Sequence, residues 1–522
     1  MTVEANPAGA TSTPATPPHY LDGHALARPN KPAVIIGNRS LTYAEFNSRS
    51  RRLANALQKL GVVAGDRVAV MAYNSIEPLE IATALSKLSA VSVLLNYRLR
   101  EQEVAYILND SLSKVVVAGP GLVPVVERAR SQVNNEVTFV AIGEEAPDGW
   151  LRYEDLLAEA TEEVPVVESG LGSSMSYTSG TTGKPKGAYR PRGVPVSDVI
   201  SVIQAFELKE ADVHLLAGPY YHSAPSFFVS LSLLLGSTVV VQPKYDPVEA
   251  LRLIERHKIS TTFMAPTLLQ RLCDVPEEEF SKHDVSSLRA IILGGAPCPF
   301  VLKERAVARF GNVIWEFYGA TETGIVTVMR PEDQLRKPGS CGKVAPGQTI
   351  RLLDDMGNEV ALGTPGEMWA QNSFLAEYFG KPDATARSMR EGFFSVGDVA
   401  YMDEEGFYYI CDRKVDMIIS GGVNIYPAEI EAVLTAHPAI ADVAVIGVPD
   451  DHWGESVKAI VELRPGVSAT AEEIIAFCGE RMADYKKPRS VDFINEMPRN
   501  PSGKLLKAPL REPYWRDRTR KV

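Results

Sequence analysis

From residue 41 onward the chain alternates helical and strand signals, and that alternation restricts it to a layered α/β architecture. Thr42 and Glu45 make a capping-box pattern ahead of a helix whose Phe46, Leu53, Leu57 and Leu60 fall mostly on one face before Gly61. Val68–Ala72 reads as a buried strand, followed by a helix around Pro78–Leu88, a strand at Val91–Leu95, a helix at Glu101–Leu108 and a strand at Lys114–Ala118. A second series runs through strand Val239–Gln242, helix Pro247–His257, strand Thr261–Ala265, helix Thr267–Leu272 and strand Ala290–Leu293. Two helix-covered, mostly parallel sheets are therefore expected. Beyond about residue 340, Gly and Pro punctuate shorter strands (Ile350–Leu353, Glu367–Ala370, Phe407–Cys411), which suits a small β subdomain. The C-terminal stretch reads as a separate α+β unit, with Pro427 opening a helix, strands at Val443–Val448 and Val457–Leu463, and a helix near Ala471–Arg481.

At 522 residues the chain exceeds one simple core, so several domains are expected: a disordered tail over 1–18, a large N-terminal domain over 19–413 and a small mobile domain over 414–522. A net charge of −11 disfavours a nucleic-acid surface. Five scattered cysteines without Cys-x-x-Cys spacing fit a reducing cytoplasm and argue against a disulfide framework or a zinc site. The Pro/Ala/Thr-rich tail lacks the basic and apolar regions of a signal peptide. The longest apolar run, Phe227 to Val241, is interrupted by Ser230, Ser232, Gly236 and Ser237; it reads as a buried helix and strand, not a membrane span.

The segment Tyr177-Thr-Ser-Gly-Thr-Thr-Gly-Lys-Pro-Lys-Gly187 has almost nothing to bury. Its glycines let backbone N–H groups crowd around an anion, its hydroxyls add donors and its lysines add charge, so it reads as a polyphosphate cradle. The spacing of Gly180 and Gly183 is not that of a P-loop. Tyr318-Gly-Ala-Thr-Glu-Thr-Gly324 offers an acidic residue between threonines, suited to a magnesium ion that keeps water and phosphate ligands. Gly397-Asp398 presents a carboxylate able to accept from two ribose hydroxyls. Asp412-Arg413-Lys414 and Ser420-Gly-Gly-Val-Asn-Ile-Tyr-Pro427 mark the boundary between the domains, and Pro498-Arg-Asn-Pro-Ser-Gly-Lys504 presents one lysine on a loop. His222, in Pro219-Tyr-Tyr-His-Ser-Ala-Pro225, would on its own read as a core histidine.

Taken in this order over residues 20–510, these segments resemble the adenylate-forming acyl-CoA synthetase superfamily, which includes luciferase and peptide-synthetase adenylation domains. The resemblance implies ATP, Mg²⁺ and coenzyme A as reactants or cofactors. It also implies two half-reactions: a small-molecule carboxylic acid and ATP give acyl-AMP and pyrophosphate, then the thiol of coenzyme A displaces AMP. Carried onto this sequence, it assigns Thr178, Ser179, Gly180, Thr181, Thr182, Gly183 and Lys186 to the β- and γ-phosphates. Thr321 and Glu322 go to the α-phosphate and magnesium, and Tyr318 with Gly319 to adenine, faced by Gly295, Ala296 and Pro297. Asp398 and Arg413 go to the ribose, Lys504 to adenylation, and Gly421 and Gly422 to thioester formation. His222 goes beside the acyl carboxylate, with Ser223, Phe227, Phe228 and Gly294 as the expected acyl-pocket wall.

The sequence departs from the family pattern at Val415, where the pivot is commonly Asp or Lys, at Ala188–Arg192 after the phosphate loop, and at Ser395-Val396 before Gly397. The expected activity is acyl-CoA ligation of a hydrophobic monocarboxylic acid: fatty, bulky sterol-type or aryl. Adenylation with transfer to a carrier protein or another acceptor is the alternative, and a non-catalytic nucleotide or acyl sensor is the reading from another class. A cytoplasmic location is expected, and a homodimer is compatible with the sequence.

Overall fold

The computed structural model describes residues 19–165, 173–178, 185–191, 193–414, 416–420, 423–499 and 505–516. Among them the strands form four sheets. The first has eight strands in the order Glu377–Tyr378, Lys186–Tyr189, Ser173–Thr178, Val91–Leu94, Arg67–Met71, Val115–Ala118, Thr138–Ala141, Leu151–Arg152. All neighbours from Ser173–Thr178 onward are parallel, while the first two strands attach antiparallel at the edge. The second sheet has nine strands, and its centre is the parallel run Thr238–Val241, Val213–Leu216, Thr261–Met264, Ala290–Leu293, Ile314–Ala320. The strands at these centres are short and buried along their whole length (Val91–Leu94 and Ala290–Leu293 are examples), as expected when helices cover both faces.

Helix boundaries follow the local chemistry. Thr42 Oγ1 accepts from the Glu45 N–H at 3.2 Å, and the Glu45 carboxylate accepts from the Thr42 N–H at 2.8 Å, closing the capping box. The helix Ser223–Leu235 ends at Gly236, whose φ of +80° suits glycine, and the strand Thr238–Val241 follows. Phe227–Val241 is thus a buried helix and strand. No described helix is long and apolar enough to cross a membrane.

The third sheet is antiparallel and contains Thr349–Leu353, Gly366–Gln371, Asp398–Met402 and Tyr408–Arg413. The fourth pairs Ile440–Asp450 with Gly454–Leu463 and is covered by Pro427–Thr435, Ala471–Gly479 and Lys507–Trp515. The chain therefore has the expected α/β architecture: two helix-covered sheets, a small β subdomain and a C-terminal α+β unit. The last strand of the third sheet ends at Arg413 and the first of the fourth begins at Ile418.

Two features differ from the sequence expectation. The hairpin Pro32–Ile36 and Arg39–Thr42, which precedes the helix–strand rhythm, joins the far edge of the second sheet by pairing parallel with Thr238–Val241. And Glu377–Tyr378, from the segment beyond residue 340, pairs with Lys186–Tyr189 and so belongs to the first sheet. Both pairings join segments far apart in the chain, and no local pattern encodes them.

Candidate active site

Thr178 ends one strand and Lys186 begins the next, and the two are antiparallel partners. The segment between them is thus the connection of a hairpin at the edge of the first sheet. Ser179, Gly180, Thr181, Thr182 and Gly183 lie outside the described residues, as do Val415, Gly421, Gly422 and Lys504.

A second hairpin faces it. Ala320 pairs with Gly324, leaving Thr321, Glu322 and Thr323 as the turn. Gly319 allows this turn, because a Cβ there would stand 2.0 Å from the Gly324 carbonyl oxygen. Glu322 is 7% exposed and its Oε1 accepts from Thr178 Oγ1 at 2.9 Å and from the Tyr378 hydroxyl at 3.0 Å. No described residue donates to Oε2. The Oε2 of a carboxylate fixed by two hydroxyls through its other oxygen fits magnesium, an ion that takes few protein oxygens and fills its shell with water and phosphate. The described residues contain no cluster of His, Cys, Asp and Glu that would hold a metal unaided.

Two residues that sequence reasoning missed complete this corner. Arg190 donates to the backbone carbonyls of Thr321 and Phe374, bracing the turn from behind; burial pulls its guanidinium down to about 10, so it remains a cation at neutral pH. Tyr378 holds Glu322, and the Lys186 ammonium lies 4.8 Å from its ring centroid. Arg190 stood out only as a departure after the phosphate loop; Tyr378 has no distinguishing local pattern.

On the nucleoside side, Asp398 and Arg413 are direct cross-strand partners, with Arg413 Nε 3.5 Å from Asp398 Oδ1. The Tyr318 hydroxyl donates to Asp398 Oδ2 at 2.5 Å, which ties the second sheet to the third. Burial, and then the Asp398 charge, push the Tyr318 phenol well above its ordinary range, so it stays a donor. Gly295, Ala296 and Pro297 follow the strand Ala290–Leu293 and line the same cleft, of about 3400 Å³, as Tyr318, Gly319, Thr321, Glu322, Asp398 and Arg413.

The acyl-side residues separate. His222 immediately precedes the helix Ser223–Leu235, makes no capping bond with its side chain and lines the cleft; burial, then the charge of Arg98, hold its imidazole down at about 4, so it is neutral at pH 7. Ser223 Oγ is 3.2 Å from Thr321 Oγ1, and Phe227 also faces the cleft. Phe228 and Gly294 do not. Phe228 is 1% exposed and packs against Phe206, Phe263 and Phe317. A Cβ on Gly294 would meet the Phe317 ring at 2.7 Å, so this glycine serves close packing behind the wall. Adjacent positions on a helix point to different sides, which is why Phe227 and Phe228 part company.

Comparison with known proteins gives a consistent picture. The family described as AMP-binding enzyme matches residues 21–378, and the AMP-binding enzyme C-terminal domain matches residues 429–504. A long-chain-fatty-acid–CoA ligase of Mycobacterium tuberculosis is 37% identical over 91% of this chain and 93% of its own. A feruloyl-CoA synthase of Amycolatopsis is also 37% identical, over 94% and 97%. The crystal structure of ATP-bound MatB from Rhodopseudomonas palustris superposes with a TM-score of 0.84 at 30% identity, covering 93% of this chain and 96% of that one.

Proposed function

The chain belongs to the AMP-binding enzyme family, and from that premise we propose that it is an ATP-dependent ligase joining a hydrophobic monocarboxylic acid to coenzyme A. The reading is supported by one observation above all. A single cleft joins a phosphate-side corner (Thr178, Lys186, Glu322) to a nucleoside-side pair (Asp398, Arg413), as a nucleotide split between its α- and β-phosphates requires.

In the first half-reaction a carboxylate oxygen of the acid attacks the α-phosphorus. The new P–O bond forms as the bond to pyrophosphate breaks, giving acyl-AMP. Asp398 and Arg413 hold the ribose, Tyr318 flanks the adenine, and Thr321 meets the α-phosphate. Lys186 and Lys504 offset the charge that repels an anionic nucleophile from an anionic phosphate. Glu322 would hold a magnesium ion, which would supply further charge neutralisation. In the second half-reaction the sulfur of coenzyme A attacks the acyl carbonyl and AMP leaves. His222, neutral at pH 7, adds no charge beside the acyl group.

A rotation of the C-terminal unit, over 414–522, about the 413–416 joint exchanges Lys504 for Gly421 and Gly422 between the steps. Fatty, sterol-type and aryl acids all fall within the class. A cytoplasmic enzyme fits the five unpaired cysteines.

The test is carboxylate-dependent pyrophosphate release, with and without coenzyme A, across fatty, aryl and sterol acids. Release with at least one acid, followed by a coenzyme-A-dependent thioester, is the expected result. Acyl-AMP that coenzyme A leaves untouched would transfer the reading to adenylation for another acceptor. Absence of pyrophosphate release with every acid would leave only a nucleotide or acyl sensor.

A further inference from the structure

The helix Glu101–Ser111 lines the cleft through Glu103 and Ile107, and two other residues, four apart and so on one face, reach both ends of the phosphate hairpin. Asp110 Oδ2 accepts from the hydroxyl of Tyr177 at 2.9 Å, and Tyr177 is the residue immediately before Thr178. The Tyr106 hydroxyl donates to the backbone carbonyl of Pro185 at 2.9 Å, and Pro185 immediately precedes Lys186. Between these contacts, Lys381 donates to Asp110 Oδ1, which lies 3.4 Å from the Tyr106 oxygen. A phenol has one proton, so the shorter contact to Pro185 takes it, and the Lys381 ammonium offsets the oxygens that then face each other.

Lys381 carries the network back to the catalytic corner. Its N–H donates to the Tyr378 carbonyl at 3.0 Å, and the Tyr378 hydroxyl donates to Glu322. The Phe379 N–H donates to the Gly187 carbonyl at 2.9 Å. The contacts form a closed circuit: Glu322 to Thr178, along the chain to Tyr177, then to Asp110, Lys381, Tyr378 and back to Glu322. Tyr106 and Pro185 brace its other flank. Asp110 and Lys381 have 16% and 29% of their side chains exposed, so water competes little for these bonds. Burial, reinforced by the Asp110 charge, raises the Tyr177 phenol well above its ordinary range, which keeps its proton in place at any working pH.

We propose that Asp110, with Tyr106 and Lys381, is a positioning device that fixes both ends of the phosphate hairpin relative to Glu322 and so sets the affinity for the β- and γ-phosphates. It rests on the ATP-dependent reading above but makes no use of the acid. Thr178 and Lys186 line the phosphate side of the cleft, and holding both in place before ATP arrives removes part of the entropy cost of ordering them around a ligand. None of the three side chains touches the nucleotide site directly.

The experiment measures MgATP and AMP affinity by calorimetry, without acid or coenzyme A, for Tyr106→Phe, Asp110→Asn, Lys381→Met and Lys381→Arg. Tyr106→Phe removes one hydrogen bond and preserves the ring, and should weaken MgATP about three- to tenfold. Asp110→Asn and Lys381→Met should weaken it about tenfold or more, since each breaks a charged link, while Lys381→Arg stays within about threefold. AMP lacks the β- and γ-phosphates, so its affinity should stay within about twofold throughout. Parallel loss of ATP and AMP binding would show general loosening and overturn the proposal. Unchanged MgATP affinity with a lowered melting temperature would also overturn it, reducing the network to a stability element. A wild-type protein that binds MgATP well but turns over no acid would sink the ligase reading alone.

Discussion

His214 lies in the strand Val213–Leu216 with 1% of its surface exposed; its Nδ1 is 3.0 Å from Thr261 Oγ1, and its Nε2 has no partner among the described residues. Burial lowers its folded value to about 4 from an ordinary 6.5. The folded state therefore holds the neutral ring while the unfolded chain takes up a proton below pH 6.5. Its contribution is intact above 6.5 and is lost as pH falls toward 4, at up to about 1.4 kcal/mol per pH unit. His214→Leu should flatten the dependence of melting temperature on pH between 6.5 and 4.5; an unchanged slope would refute this account. At this scale the family resemblance singled out Asp398 and Arg413 from the sequence, and the structure sets the two as cross-strand partners lining one cleft. The sequence was silent where a role exists only through distant contacts. Tyr378 matters because it reaches Glu322, 56 positions away, and Asp110 because it meets Lys381, 271 positions away. Phe228 shows the converse: a local pattern set it beside Phe227, and three-dimensional packing turned it away.

At the scale of the element, the turn Thr321–Glu322–Thr323 depends on glycine at 319. Alanine there would bring its Cβ against the Gly324 carbonyl oxygen, and a backbone atom cannot swing aside as a flexible side chain can. Opening the hairpin by about 1 Å is enough to cost on the order of a hundredfold in rate when the turn positions reacting groups. Gly319→Ala should therefore lower pyrophosphate release about a hundredfold, with the circular dichroism spectrum retained; wild-type turnover would show that the hairpin tolerates the change. Elements with strong periodicity, such as Pro247–His257 and Ala290–Leu293, coincide with their expected ranges. The two-residue strand Glu377–Tyr378 could not be anticipated, since its identity comes from the partner strand that it joins.

For the molecule as a whole, the joint between the third sheet and the C-terminal unit is held by charges. The Lys507 ammonium lies 2.9 Å from Glu431 and 3.6 Å from Asp412, and Asp412 also accepts the Ala428 N–H at 3.0 Å. Arg511 pairs with Asp416. Burial works against the charge on Lys507, yet the carboxylates of Glu431 and Asp412 lift it above its ordinary range. Removing it leaves the buried Asp412 and the part-buried Glu431 without the cation they share. Lys507→Met should weaken docking of the C-terminal unit by about 3–5 kcal/mol, read as faster proteolysis near residues 413–418 and a larger radius of gyration. Unaltered proteolysis would mean that the ion cluster does not hold the joint.

A seam sealed by leucines would lose about 25 cal/mol for every Å² re-exposed, and nothing in water would return it. Ions differ: each one pulled from its partner regains its hydration, so the balance of opening sits near zero. Asp412 and Lys507, which face each other across the joint, therefore act less as glue than as a releasable clasp, firm enough to define one posture and cheap enough to be undone at every turnover.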